Sequence, residues 1–224
     1  MSSTTTGATG TTGPTGPTDP VGEPGTPGTS GATARWRTVD VVVASALAVA
    51  FGVVFWAWGN LWNAVQPAFT AFPPGQGFMY GVWLMPGVLG ALVLRKRGAA
   101  VYVELLASIV SALLGTSWGL TVIAYGLVQG AAAEIVFAFA LYKSWRLGTA
   151  LLAGALAGAA AALMDLVLYY VDLGWSGAWQ LTYVALLAVS SAVVAGLGSW
   201  LLVRALARTG VLAPFRSGAD QARV

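Results

Sequence analysis

The chain has no cysteine and no histidine among its 224 residues, and charged residues make up only 8% of it. The first two absences exclude thiolate zinc sites, disulfides, cysteine nucleophiles, imidazole general bases and haem ligation through histidine. The third excludes an ordinary soluble domain, in which about a quarter of residues are Asp, Glu, Lys or Arg. No formal charge occurs between Asp40 and Arg95. What fills the space is apolar: 57% hydrophobic residues and a mean hydropathy of +0.76. Since about 20 apolar residues cross the hydrocarbon core, this pattern predicts a polytopic protein whose solvent is the lipid bilayer. The net charge of +3 implies no nucleic-acid partner, because the basic residues flank the apolar segments. No GxxxxGK[ST] phosphate loop is present, so ATP hydrolysis by this chain is not expected, and no cofactor or metal is implied.

Residues 1–34 are mostly Thr, Gly and Pro, with glycine recurring every third position except at Asp19. The composition predicts a disordered tail rather than a collagen-like helix. Six membrane-spanning helices are expected in a domain over 35–210, at about 39–59, 78–94, 99–115, 118–142, 148–171 and 181–206, followed by a short cytoplasmic tail, 211–224. Lys and Arg occur before the first span, at Arg95–Arg97, at Lys143 and Arg146, and after the last span, while the alternate connections have none. That asymmetry puts both termini in the cytoplasm.

Two carboxylates lie inside spans where charge is expensive: Glu104 and Glu134. Glu104 is seven residues past Arg97, so it either reaches water on the inner side or pairs with the basic cluster, the structural pairing being the expectation. Glu134 continues a stripe with Gly126 and Gly130, about 13 Å along the axis from Lys143, too deep to reach water easily. It is a candidate solute contact, with Gln129 flanking the same broad face. In the fifth span Gly154, Gly158, Asp165 and Tyr169 share a stripe, making Asp165 a second candidate for a cationic or amino-bearing solute. Trp58, Trp62, Tyr80, Trp83, Trp118, Tyr125 and Tyr169 crowd the outer side. Such rings form either an interfacial belt or the faces of an aromatic pocket. The uncharged connection 60–77, rich in Trp, Phe and Pro, reads as a lid over the outer mouth or a re-entrant segment. Ala44 and Ala48, four apart on the first span, offer a small-residue face for another helix, and Ala46 and Ala50 offer a second.

An ordered series of motifs resembles the YkoE family: Phe55-Trp56-Ala57-Trp58-Gly59-Asn60-Leu61-Trp62, Tyr80-Gly81-Val82-Trp83, Arg97-Gly98-Ala99-Ala100 with Glu104, Leu113-Leu114-Gly115-Thr116-Ser117-Trp118-Gly119-Leu120, and Gly126-Leu127-x-Gln129-Gly130 with Glu134 and Phe137. Its members are substrate-binding S components of energy-coupling-factor (ECF) transporters, linked to thiamine and its hydroxymethylpyrimidine (HMP) precursor. The resemblance covers about residues 36–208. It implies an all-α, six-helix S-component fold in the bacterial plasma membrane, with a ligand held in the outer half. It further implies a transmembrane coupling subunit docking on Ala44 and Ala48, and cytoplasmic ABC ATPases. Two other readings stay open from the residues themselves: a stand-alone proton-coupled carrier using Glu134, and an intramembrane enzyme using Asp165 and Glu134 as paired acids.

Overall fold

The computed structural model describes residues 35–210 together with Leu212, Phe215 and Ser217. The tail expected at 1–34 lies outside the described residues, as does most of 211–224.

Among the described residues all regular structure is helical: α1 (Thr38–Val65), α2 (Met85–Leu94), α3 (Ala99–Leu113), α4 (Thr121–Phe139), α5 (Leu147–Leu168), α6 (Gly177–Ser191) and α7 (Gly198–Arg208). A six-residue π turn, Ala192–Leu197, joins α6 to α7, giving one helix from Gly177 to Arg208. A 3₁₀ segment, Pro73–Leu84, runs straight into α2. Among the described residues five helical stretches are long and apolar enough to cross a membrane: Thr38–Phe69, Pro73–Leu94, Thr121–Phe139, Leu147–Leu168 and Gly177–Arg208. Ala99–Leu113 is apolar but has only 15 residues.

Several helix termini have a local cause. Asp40 caps α1, accepting from the Arg37 backbone N–H at 2.8 Å, and its burial is compensated by ion pairs to Arg37 (3.0 Å) and Lys96 (3.4 Å). Pro67 ends the α-helical run of α1 by removing a donor. Arg95 closes α2 in the left-handed region at φ 51°, and Gly98 at φ 79° opens α3, so the short basic link turns the chain back on itself. Ser176 caps α6 by accepting from the Trp179 N–H.

Small residues set the distances between helices. A Cβ at Gly130 would lie 2.9 Å from the Val101 Cα, and one at Gly196 would lie 2.7 Å from the Ala150 carbonyl oxygen. The α4 glycine stripe therefore admits α3, and the α5 stripe admits the π turn. In lipid such close approach supplies the packing energy that hydrophobic burial supplies in water. The buried stripe of α1, which includes Ala44, Ala48, Gly52 and Phe55, packs against α3 in the same way.

That packing corrects two expectations. Ala44 and Ala48 are fully buried inside the bundle, so they present no face to a partner. Ala46 and Ala50 lie on the exposed side of α1, among Val42, Val49 and Val53. The connection 60–77 is also less of a loop than its composition suggests. α1 continues to Val65, and Pro74, Gly75, Gln76 and Gly77 are buried, Gly77 lying close enough to α6 that a Cβ would stand 3.2 Å from the Leu187 nitrogen.

Basic residues collect at one end of the bundle. Lys96 donates to the Arg35 carbonyl at 2.8 Å, Trp36 donates to the Arg97 carbonyl at 3.1 Å, and the Arg97 guanidinium stands 5.4 Å from the Tyr142 ring centre. Leu212, Phe215 and Ser217 are buried, with Ser217 donating to the Val93 carbonyl near the C-terminus of α2. The opposite end, where α1, α3 and α5 finish, holds the site.

Candidate functional site

The two glutamates in the spans are both engaged by helix N-termini. Glu134 accepts from the Gly98 N–H (2.6 Å), the Ala100 N–H (2.9 Å) and the Tyr142 hydroxyl (2.8 Å). It thus satisfies donors that the first turn of α3 would leave orphaned, with its charge at the positive end of the helix dipole. The expected role of Glu134 as a solute contact does not survive this geometry, because it belongs to the basic end of the bundle. Partial burial and the bond to Glu134 push the Tyr142 phenol up to about 12. Glu104, 1% exposed, accepts from the Gly87 N–H at 2.6 Å in the first turn of α2. Its expected partner was the basic cluster; the break between the 3₁₀ segment and α2 supplies a free N–H nearer by.

At the other end a cavity of about 200 Å³ opens between α1, the 3₁₀ segment, α3, α4 and α5. Of the residues singled out from sequence, it brings together Trp62, Tyr80, Trp83, Trp118, Tyr125, Gln129, Asp165 and Tyr169. Trp58 is not in the lining: its indole N–H donates to the Met79 carbonyl at 2.9 Å and fastens α1 to the 3₁₀ segment. The rings form a continuous wall. Trp62, Tyr80 and Trp83 contact one another with centroids 5.3–5.7 Å apart, and Trp118 meets Trp83 edge-on at 5.5 Å. Gly59 makes room for Trp118, since a Cβ there would lie 2.7 Å from the indole. Tyr125 and Tyr169 face each other at 6.3 Å, only 20° from parallel.

Asp165 provides the carboxylate of this chamber. It is 1% exposed, and its two oxygens accept from the Tyr125 hydroxyl at 2.5 Å and the Tyr183 hydroxyl at 2.6 Å, with Tyr80 beside it. Tyr183 reaches it from α6 because Gly158 lets α6 approach; a Cβ at Gly158 would stand 2.9 Å from the Leu187 carbonyl. Gln129 is 5% exposed, lines the cavity and has no hydrogen-bond partner among the described residues. The arrangement offers flat ring faces, a tyrosine-bound carboxylate and an amide carrying both donors and an acceptor.

The sequence reading missed Ser108, Ser111, Gln66 and Tyr170, which also line the cavity. Ser108 and Ser111 were findable, since with Glu104 they are spaced four and seven residues apart on one helical face. Tyr170 carried no periodic signal; it follows α5, and burial raises its phenol pKa above the ordinary value. No group of three His, Cys, Asp or Glu able to hold a metal occurs among the described residues.

Comparison with known proteins places this geometry. The family described as "ABC-type cobalt transport system, permease component" matches residues 39–160. A protein of Bacillus subtilis (strain 168) described as "Putative HMP/thiamine permease protein YkoE" is 33% identical over 179 residues, covering 79% of this chain and 87% of its own length. A solved structure described as an S-component of an ECF transporter superposes with a TM-score of 0.79 at 31% identity, covering 84% of this chain and 94% of its own. The chain belongs to the YkoE family of ECF-transporter S components and is a multi-pass transport subunit of the bacterial plasma membrane.

Proposed function

We propose that this subunit captures thiamine or HMP in the aromatic cavity and delivers it to an ATP-driven import complex. The observation that carries the reading is the conjunction, in one chamber, of aromatic faces, the Asp165 carboxylate and the unpaired Gln129 amide. The aminopyrimidine edge, an amino donor beside a ring-nitrogen acceptor, is complementary to a primary amide. A cationic ring gains from the faces of Trp62, Tyr80, Trp83 and Trp118 and from the negative charge held by Tyr125 and Tyr183. Asp165 acts on the ligand mainly through those two hydroxyls, which its lone pairs hold in place. The names of the YkoE protein and of the solved S component support the substrate class and the importer type.

In this reading Ala99–Leu113 is the sixth crossing, and the basic end of the bundle faces the cytoplasm, as the positive-inside rule requires. The cavity then opens outward. The partners are a transmembrane coupling subunit and ABC ATPases. The coupling subunit docks on the exposed Ala46 and Ala50 face of α1, where small side chains leave room for a crossing helix.

The test is calorimetric titration of the purified subunit with thiamine, HMP and, because of the family's description, Co²⁺. Saturable binding of thiamine or HMP is expected, with none for Co²⁺. Binding of Co²⁺ alone, or of nothing, refutes the vitamin reading.

A further inference from the structure

At the basic end of the bundle, the turn from α4 to α5 is held in a conformation that its residues disfavour. Leu141 and Tyr142 both lie in the left-handed region, at φ 53° and φ 54°. A side chain there crowds the following carbonyl oxygen, which is why helices commonly end on glycine instead. The turn keeps this shape because its inward side chains are gripped. The Tyr142 hydroxyl donates to Glu134 at 2.8 Å, and the Arg97 guanidinium lies 5.4 Å from the Tyr142 ring centre. Trp145 stacks on Phe137 at 5.3 Å and 25°, with the Arg95 guanidinium 5.8 Å from the Trp145 ring. Backbone strain held in place by surrounding contacts points to a use for what the turn displays.

The displayed surface is apolar and basic. Phe139 is 85% exposed and Leu141 67%, and Arg97, Lys143 and Arg146 are exposed as well. None of these three cations has an ion pair among the described residues. The nearby carboxylates are engaged elsewhere: Asp40 with Arg37 and Lys96, Glu134 with the start of α3 and Tyr142. Two large apolar side chains beside three cations lacking a carboxylate match the boundary between acyl chains and anionic headgroups. Phe139 closes the last turn of a membrane-spanning helix, at the depth where that boundary lies, which favours a lipid over an acidic protein surface.

We propose that the α4–α5 turn is a binding site for an anionic phospholipid. Its phosphodiester pairs with Arg97, Lys143 and Arg146, and its acyl chains lie against Phe139 and Leu141. The site is on the outside of the bundle, at the end opposite the aromatic cavity, and does not depend on what that cavity binds. A bound headgroup fixes the strained turn and, through Tyr142 and Glu134, the start of α3.

The experiment is native mass spectrometry of the detergent-purified full chain, titrated with dioleoylphosphatidylglycerol or dioleoylphosphatidylcholine. Wild type is expected to bind the glycerol lipid about tenfold or more tightly than the choline lipid. The double variant Lys143→Gln/Arg146→Gln is expected to weaken the glycerol lipid by about tenfold to thirtyfold and to leave the choline lipid within about twofold. Arg204→Gln/Arg208→Gln removes the same charge from exposed positions on α7 and is expected to change neither. All four substitutions are at exposed side chains, and thermal unfolding like that of wild type certifies the fold. Equal affinity of wild type for the two lipids, or equal weakening by the two double variants, overturns the site. A Lys143→Gln/Arg146→Gln protein that binds the glycerol lipid like wild type but fails to assemble with its coupling subunit also overturns it, and assigns the turn to a protein partner.

Discussion

Glu134→Gln separates a structural carboxylate from a ligand-binding one. Glu134 holds three hydrogen bonds, two of them from N–H groups at the start of α3. Glutamine keeps the shape but removes the charge and one acceptor oxygen, so its NH₂ group faces one of those N–H donors. A hydrogen bond to a charged group contributes about 1.5–3 kcal/mol and a neutral one about 0.5–1.5 kcal/mol, while a donor left unsatisfied costs about 1–3 kcal/mol. Loss of the favourable interaction with the helix dipole adds about 0.3–1 kcal/mol. The net cost is about 2–4 kcal/mol, which in a chain of this size lowers Tm by about 5–15 °C. The assay pairs thermal unfolding of the detergent-purified subunit with thiamine titration. The expected result is a lower Tm with Kd unchanged within about twofold. A Kd weakened more than about tenfold at unchanged Tm would mean that the carboxylate touches ligand, and would refute the capping argument.

The remaining predictions use other parts of the bundle. Asp165→Asn and Tyr125→Phe disturb the bond at the heart of the cavity, and each should weaken thiamine by about tenfold or more in a titration, consistent with loss of a hydrogen bond to a charged group. Ala48→Phe must insert a ring into the closed α1–α3 contact and should abolish a monodisperse peak in size-exclusion chromatography, whereas Ala50→Phe on the exposed face should leave the peak intact and impair transport by the assembled complex. The Tyr142 phenol is raised from 10.0 to about 12, so its stabilising contribution is complete below pH 10 and is lost as pH rises through about 12. Tyr142→Phe should flatten that part of the alkaline unfolding curve; an unchanged curve would contradict the assignment.

The membrane character, the approximate helix positions and the gathering of aromatic residues toward one end were legible from the chain because they depend on composition and local periodicity. Charge depletion between Asp40 and Arg95 forces burial in lipid whatever the fold. Eight of the ten solute contacts expected from sequence line one cavity, because Asp165 and the rings occupy the end of the bundle opposite the basic residues. The residues that failed did so for one reason: helical periodicity assigns a face but does not say which neighbour covers it. Ala44 and Ala48 form a small-residue face whose neighbour is α3, not a partner protein.

The two intramembrane glutamates divide the matter most clearly. Sequence alone established that Glu104 and Glu134 lie in apolar helices and need compensation, since an unpaired carboxylate there is too costly to persist. Only the tertiary structure decided what compensates them. The turn at Gly98 carries the N-terminus of α3 beneath Glu134, and the 3₁₀-to-α break before Gly87 brings a free N–H to Glu104. Those donors belong to the backbone, so no side-chain motif announces them. The carboxylate that lines the cavity is Asp165, held by tyrosines from α4 and α6, both of which pack on α5, and Gly158 lets α6 come close enough for Tyr183 to reach it.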